Sequence, residues 1–573
     1  LFALAKTLNY EYCDSQIPIL LSIFILYQIT MPDKSYKTEV AIAGGGIAGI
    51  ITAFELLNYG KKVTIVERDA QENFGGLAKE SFGGMFFVDT PYQRRNGIKD
   101  SVDLALRDWF SVAEFEEEDV WQKKHAENYV TRCTEDVFWW LRKHGISYFP
   151  VVHWVERGMF KPGNSVPRFH MVWGTGYGLA TTMMQHLLNH AKKGNLEILF
   201  RHKVTDISFT NKKASGLVGV NEETNEPFRI DSDVVVVAAG GMGGNIERVK
   251  KQWYKPWGKP PEIILNGSHK YAQGDLHDVA EKYNANVTHL EWSWPYAAGV
   301  HHPRPKRENH GLSLVPCKSA LWMNYKGERI GPIPLVTAYD TRFCVEQICK
   351  QEKKYSWQVL NLKIAYKEFA VSGSESNEAI RNKNWLQFLS VILWGNRKLV
   401  HDMLDNCVDF VTATSIEELA EKMNALQGTK DVDVNLLRDG IKTYDAHIER
   451  GPAFHDDEQL RRIAHARQYR GDRVRTCKFQ KIDDKNAYPL IAIREFILSR
   501  KTIGGIQTDL EGKVLTKPVN GKQEPIDGLY AVGECAGFGG GGMHGIGSLE
   551  GTFLGGCVLT GRMTAKSIAG EKV

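Results

Sequence analysis

Residues Glu39–Glu67 read EVAIAGGGIAGIITAFELLNYGKKVTIVE, and this stretch decides the fold. A short apolar run, Val40–Ala43, leads into Gly44, Gly46 and Gly49 in G-x-G-x-x-G spacing. A helical pattern over Ile50–Tyr59 ends at Gly60, and a second apolar run, Val63–Val66, delivers Glu67. Each piece has a physical task in a strand–turn–helix–strand unit that binds a dinucleotide. Gly44 permits the tight turn out of the strand. Gly46 lets a pyrophosphate approach the backbone, and Gly49 lets the helix pack closely on the strand. The helix N-terminus offers free N–H groups and a partial positive charge to the phosphates. Glu67 stands where a carboxylate accepts hydrogen bonds from a ribose diol. The spacing alone does not choose between NAD and FAD.

Outward from this unit, Gly75-Gly76 and Gly83-Gly84 flank a polar segment, which suggests backbone passing close to a ligand. Helical patterns follow near Phe115–Tyr129, through Phe138 and Trp140, and around Leu179–Ala191, and Leu196–Val220 reads as paired strands. Val234–Ala238 is a continuous apolar run that fits a strand buried on both faces. The glycines after it, Gly240 to Gly244, do not make a second dinucleotide loop, because Ile246 stands where the third glycine should be. From about Trp292 the texture changes to a mixed α+β insertion, with helical patterns around Ile416–Leu426 and Val434–Ile448. Nucleotide-type texture returns at Thr502–Gly505, Gly528–Glu534 and Gly539–Gly542. The expected class is α/β: a discontinuous Rossmann-type domain over 38–289 and 489–573, interrupted by an α+β cap over 290–488.

The composition is that of an ordinary globular chain: 573 residues, 43% hydrophobic and 24% charged. A net charge of +4 on this length gives no general nucleic-acid surface. The nine cysteines are scattered and contain no C-x-x-C, which argues against a disulfide framework, a zinc site or a redox disulfide and fits a reducing, cytoplasmic compartment. His301, His302 and His310 have no metal-ligand spacing, so no metal is expected. Ile17–Ile29 is an apolar run too short for a membrane span, and no stable membrane insertion is expected. The preferred reading starts the protein at Met31 and leaves residues 1–37 outside the fold; a membrane anchor or signal is the alternative.

Gly528–Glu534, G-L-Y-A-V-G-E, resembles the C-terminal FAD motif of the fumarate reductase/succinate dehydrogenase flavoprotein superfamily. The other segments resemble that superfamily's motifs in order: Gly44–Glu67, Gly75–Gly84, Val236–Asn245, Asn324-x-x-Gly327-x-Arg329, Thr502–Gly505 and His544–Arg562. Within it the chain is most similar to the 3-ketosteroid dehydrogenase-like group, through Trp173–Gly176, Arg500–Ile506, Gly83–Pro91 and Gly539–Gly556. The resemblance implies FAD, held by Gly44, Gly46, Gly49, Glu67, Gly75, Gly76, Ser81, Gly83, Gly84, Val204, Ala239, Gly240, Gly533, Glu534, Leu549, Gly551 and Leu554. With no histidine between Gly75 and Gly84, the flavin is expected to be non-covalent.

Departures shape the expected chemistry. Ser548 stands where fumarate reductases place the arginine that grips a substrate carboxylate, Arg500-Lys501 replaces their His-His, and Glu550 replaces a glycine. The expected substrate is therefore an uncharged, apolar ketone, desaturated by α-proton abstraction and hydride transfer to flavin N5. By resemblance the base and acid are tyrosines, with Tyr296 and Tyr339 as candidates. Lys501 is a candidate to polarise the carbonyl or lower a tyrosine pKa, and backbone around Gly545–Gly547 a candidate donor. Arg342 matches the catalytic arginine of fumarate reductases only loosely. Aromatic segments Trp154–Trp173 and Trp292–Tyr296 are candidates for ligand burial. The sequence leaves the electron acceptor open, with a quinone or a redox protein as candidates. Two other readings are a dicarboxylate ene-reductase and a non-catalytic protein that keeps the nucleotide fold as a scaffold. A single dinucleotide motif predicts that NADH and NADPH do not reduce the flavin quickly; anaerobic mixing with NADPH should leave its absorbance unchanged, and rapid bleaching would refute this.

Overall fold

The computed structural model describes residues 34–573; the expectations about Met31 and the Ile17–Ile29 run lie outside the described residues. Strand β1 (Lys34–Ala43) begins four residues before the expected edge of the fold, because parallel pairing with residues 228–232 extends it: Lys34 lies opposite Phe228 and Thr38 opposite Ser232. Helix α1 (Ile47–Asn58) follows, then β2 (Val63–Val66), β3 (Leu196–Leu199) and β4 (Pro227–Val237). β1 pairs in parallel with β2 and with β4, and β2 pairs in parallel with β3. Val40–Ala43, Val63–Val66 and Val235–Val237 are buried, as strands covered on both faces must be. Each such Val or Ile side chain contributes about 1.5–3 kcal/mol through burial.

Two glycines show why the opening motif has its spacing. Gly44 has φ +115°, and a Cβ there would lie 2.3 Å from the Ala238 carbonyl oxygen. A Cβ at Gly49 would lie 2.1 Å from the Gly44 carbonyl oxygen, so α1 could not seat against the strand turn with any larger residue.

The second sheet is built differently. Strands β5 (Ser293–His301), β6 (Tyr355–Asn361) and β7 (Leu490–Thr502) form its centre, in the order β6-β7-β5, and all are antiparallel neighbours. β7 runs 13 residues and also pairs with Phe410–Ala413 and, in parallel, with Ile264–Asn266. Residues 490–502 thus hydrogen-bond in the second sheet, although they precede the C-terminal nucleotide motifs. Only the end of β7 reaches the first layer: Thr502 N–H donates to Glu534 Oε1 at 2.9 Å, and Thr502 Oγ1 accepts from Met242 N–H at 2.9 Å. Strand β8 (Pro525–Ala531) then returns to pair in parallel with β4, and helix α2 (Thr552–Ile568) packs on α1.

The wall between the layers is pinned by a buried cation. Arg168 is fully buried; it donates to both oxygens of Asp100 at 2.8 and 2.9 Å, to Asp108 at 2.5 Å and to Asn164 at 3.0 Å. This fixes the loop that leads into Phe169–Met171, a short strand paired with Gly84–Phe86. Arg168→Met would leave two buried carboxylates without their partner. It should cost about 3–5 kcal/mol, read as a lower urea midpoint at unchanged slope.

Candidate active site

A cavity of about 780 Å³ runs from the opening glycine turn to the second sheet. At its nucleotide end, α1 begins at Gly46 with no side-chain cap, so its first N–H groups face the cavity unclaimed. A Cβ at Gly46 or at Gly240 would meet nothing within 4 Å, which leaves open backbone where a pyrophosphate and a flavin need it. Glu67 is held by two backbone donors, Gly45 N–H to Oε2 at 2.7 Å and Asp69 N–H to Oε1 at 2.8 Å. Burial pushes its pKa up against those two hydrogen bonds. Each oxygen retains a lone pair for a ribose diol. The donor set and the open backbone fit FAD.

Most residues expected to hold the cofactor meet on this surface: Gly44, Gly46, Glu67, Gly76, Ser81, Gly83, Gly84, Val204, Ala239, Gly240, Glu534 and Leu554 line the cavity. Five do not. Gly49 and Gly533 lie behind it, where a Gly533 Cβ would meet Ala48 Cβ at 2.7 Å. Gly75 supports the turn by donating to the Gly45 carbonyl at 3.2 Å. Leu549 is buried in the core, and Gly551 precedes α2 and accepts from Phe86 N–H at 2.9 Å. These positions shape the cradle without facing it.

At the other end β5, β7 and the turn before α2 converge three side chains. Tyr296 Oη donates to Glu550 Oε2 at 2.9 Å, Lys501 Nζ donates to Tyr296 Oη at 2.9 Å, and Lys501 Nζ lies 3.3 Å from Glu550 Oε1. Trp294 Nε1 donates to Glu550 Oε2 at 2.9 Å, and Lys501 Nζ sits 3.8 Å from the centre of the Phe553 ring. Register explains the meeting: Trp294 lies opposite Lys501 and Tyr296 opposite Leu498, with irregularity between them. Burial lowers the Lys501 pKa, and the Glu550 charge opposes that. Burial, then the Glu550 charge, raises the Tyr296 pKa well above the phenol range.

Tyr339 does not join them. Its ring is turned away, with Oη donating to the Arg462 carbonyl at 2.9 Å and lying 3.1 Å from His465 Nδ1, although its neighbours Ala338 and Asp340 line the cavity. Residues 337–339 form a turn with Ala338 at φ +70°, and this turn sends the Tyr339 ring away from the cavity that its neighbours line. Arg342 is likewise occupied, with Glu114 at 2.9 Å. Gly545–Gly547 packs on Val112 and Ala113 instead of the cavity, and Ser548 Oγ is buried without a partner. Of the aromatic segments, Trp154, Phe169 and Tyr296 line the cavity, joined by Trp322, Trp385 and Phe388.

Sequence reasoning missed Glu156. It lines the cavity at φ +50°, and its carboxylate accepts from Thr341 N–H at 3.0 Å and from the Thr341 hydroxyl. Burial, then the charge of Asp340, pushes its pKa up to about 8. A glutamate in an unremarkable loop carries no signal of this in its spacing. Beyond it lie Lys318, paired with Asp472 at 3.1 Å, and Arg475, for which no ion pair is found among the described residues.

A sequence profile described as an FAD binding domain matches residues 39–554. The chain is 38% identical over 555 residues to a KsdD-like steroid dehydrogenase of Mycobacterium tuberculosis, covering 94% of this chain and 96% of that protein. In fold it is similar to the open conformation of a flavocytochrome c3 fumarate reductase, with TM-score 0.65 and 19% identity over 98% of this chain and 81% of that one. It is also similar to a 3-ketosteroid-Δ4-(5α)-dehydrogenase from Rhodococcus jostii, with TM-score 0.60 and 17% identity over 94% of this chain and 98% of that one. With the glycine turn, the ribose carboxylate and the profile match in agreement, the chain belongs to the FAD binding domain family and is an FAD-dependent dehydrogenase.

Proposed function

We propose that this dehydrogenase removes hydrogen from two adjacent carbons beside the ketone of an apolar substrate, with a 3-ketosteroid as the substrate class. The observation that carries this reading is the half-buried Tyr296–Lys501–Glu550 group, set in a cavity whose walls include Trp154, Trp322, Phe388 and Phe553. The similarity to steroid dehydrogenases supports the ketone and the polycyclic body. The segment 290–488, together with β7 and Ile264–Asn266, serves in this reading as the cap that closes over the flavin. A quinone or a redox protein accepts the electrons. The eight described cysteines are all free and buried, which supports a reducing, cytoplasmic setting.

Tyr296 acts as the base that touches the α-hydrogen. Its O–H is already aimed at Glu550 Oε2, 2.9 Å away, so it can take a proton as its own passes to the carboxylate. This avoids a free phenolate, which burial disfavours. Lys501 Nζ, 2.9 Å from the same oxygen, stabilises negative charge that gathers there during transfer. FAD, when bound, supplies the hydride acceptor. Glu156, protonated at neutral pH, is a donor suited to a ketone or enolate oxygen. A second reading, a substrate that also carries a carboxylate, is favoured by one observation: Arg475 lines the cavity with no ion-pair partner among the described residues.

The test is an assay with an artificial electron acceptor that compares 4-androstene-3,17-dione, a carboxylate-bearing 3-ketosteroid and succinate. Turnover of succinate, or of fumarate with a reduced viologen, without any ketone turnover would overturn the reading. Tyr296→Phe should lower kcat about 10²–10⁴-fold while the protein stays yellow, and Glu550→Gln should lower it comparably. Glu156 also gives stability a direction. Its folded pKa of about 8 lies above the ordinary 4.5, so the unfolded chain releases the proton first as pH rises. Stability should be full below about pH 4.5 and fall toward pH 8, by at most about 1.4 kcal/mol per pH unit from this group. Glu156→Gln should flatten that part of the Tm-against-pH curve.

A further inference from the structure

The helix Trp385–Trp394, WLQFLSVILW, has no buried residue. Leu386 is 82% exposed, Leu393 69% and Trp394 66%. Folded chains do not leave three large apolar side chains of one helix this exposed without a surface to cover them. Three further features say what that surface is.

The first is charge. Arg381 and Lys383 precede the helix and Arg397 and Lys398 follow it, with no acidic residue between Glu378 and Asp402. Lys398 is shared with Glu378 at 3.0 Å, and Arg397 stacks on Tyr366; Lys383 has no ion pair among the described residues. A cationic collar around an apolar face matches an anionic headgroup layer. The second is Trp394 at the helix end, exposed where an amphipathic ring settles at a lipid–water boundary. The third is position. Trp385, Phe388, Leu389 and Ile392 line the cavity, and Trp385 stacks on Trp173 at 4.2 Å, so the helix forms part of the cavity wall. Ten residues of helix rise about 15 Å, half of a bilayer core, so the element lies along a membrane and does not cross it.

We propose that the Trp385–Trp394 helix docks the protein on an anionic lipid surface, with the cavity beside the helix facing the acyl boundary. An apolar ligand that partitions into lipid would then enter without crossing water. The proposal stands on the helix itself and not on the identity of the substrate.

The probe is sedimentation of the FAD-loaded full chain with vesicles of phosphatidylcholine, with and without phosphatidylglycerol. The bound fraction should rise at least tenfold with phosphatidylglycerol and fall as salt is added. Leu386→Asp with Leu393→Asp should abolish binding, since neither side chain lines the cavity, while turnover without vesicles is unchanged. Lys383→Glu should weaken it severalfold. No binding to anionic vesicles, or binding that survives the double variant, overturns the proposal. So does loss of binding by a chain that begins at Met31, which would assign the affinity to residues 1–30. A full-chain dimer that the double variant converts to monomer also overturns it, because a second copy would then be the occupant.

Discussion

A lysine ammonium cannot stay charged inside a protein unless a carboxylate stands beside it, and the Lys501–Glu550 contact at 3.3 Å meets that constraint between two layers of the fold. Much of the architecture follows from keeping it. β5 must bring Tyr296 to the same point, the turn before α2 must carry Glu550 where related motifs carry glycine, and β7 must end there. Removing one member would strand the others in a low-dielectric wall. The group proposed as the chemical centre is thus also one of the costlier places in the fold to perturb.

The nucleotide half was legible because its constraints are local. Gly44, Gly46 and Gly49 act within one turn, and Glu67 takes its backbone donors from Gly45 and Asp69, inside or next to the same strand–turn–helix–strand unit. Val234–Val237 was readable as a doubly covered strand from its unbroken apolar run. The reacting group was legible only in part. Tyr296 and Lys501 stood out by type and position, but their meeting depends on strand register with an irregularity between Trp294 and Tyr296. Tyr339 was as plausible in sequence, and the turn at 337–339, with Ala338 at φ +70°, directs it toward Arg462.

What sequence could not give lies mainly in the second sheet. Leu490–Thr502 is continuous with the nucleotide motif that follows it, so chain order argues for the wrong layer; only its pairing with four other strands reveals where it belongs. Glu156 owes its shifted pKa to burial and to Asp340, which is 184 positions away in the chain. The Trp385–Trp394 run looks from composition like one more core helix, and its exposure is a tertiary property.

β7 has a mechanical consequence. Lys501 rides on the central strand of the second sheet, while Glu550 is rooted in the turn that precedes α2 on the nucleotide layer. A displacement of one layer against the other would load this ion pair together with the Thr502–Glu534 and Ser499–Gly243 hydrogen bonds that also join β7 to the nucleotide layer. In the proposed reaction the proton-handling group therefore draws its members from both layers, and its geometry depends on how the two are seated on each other.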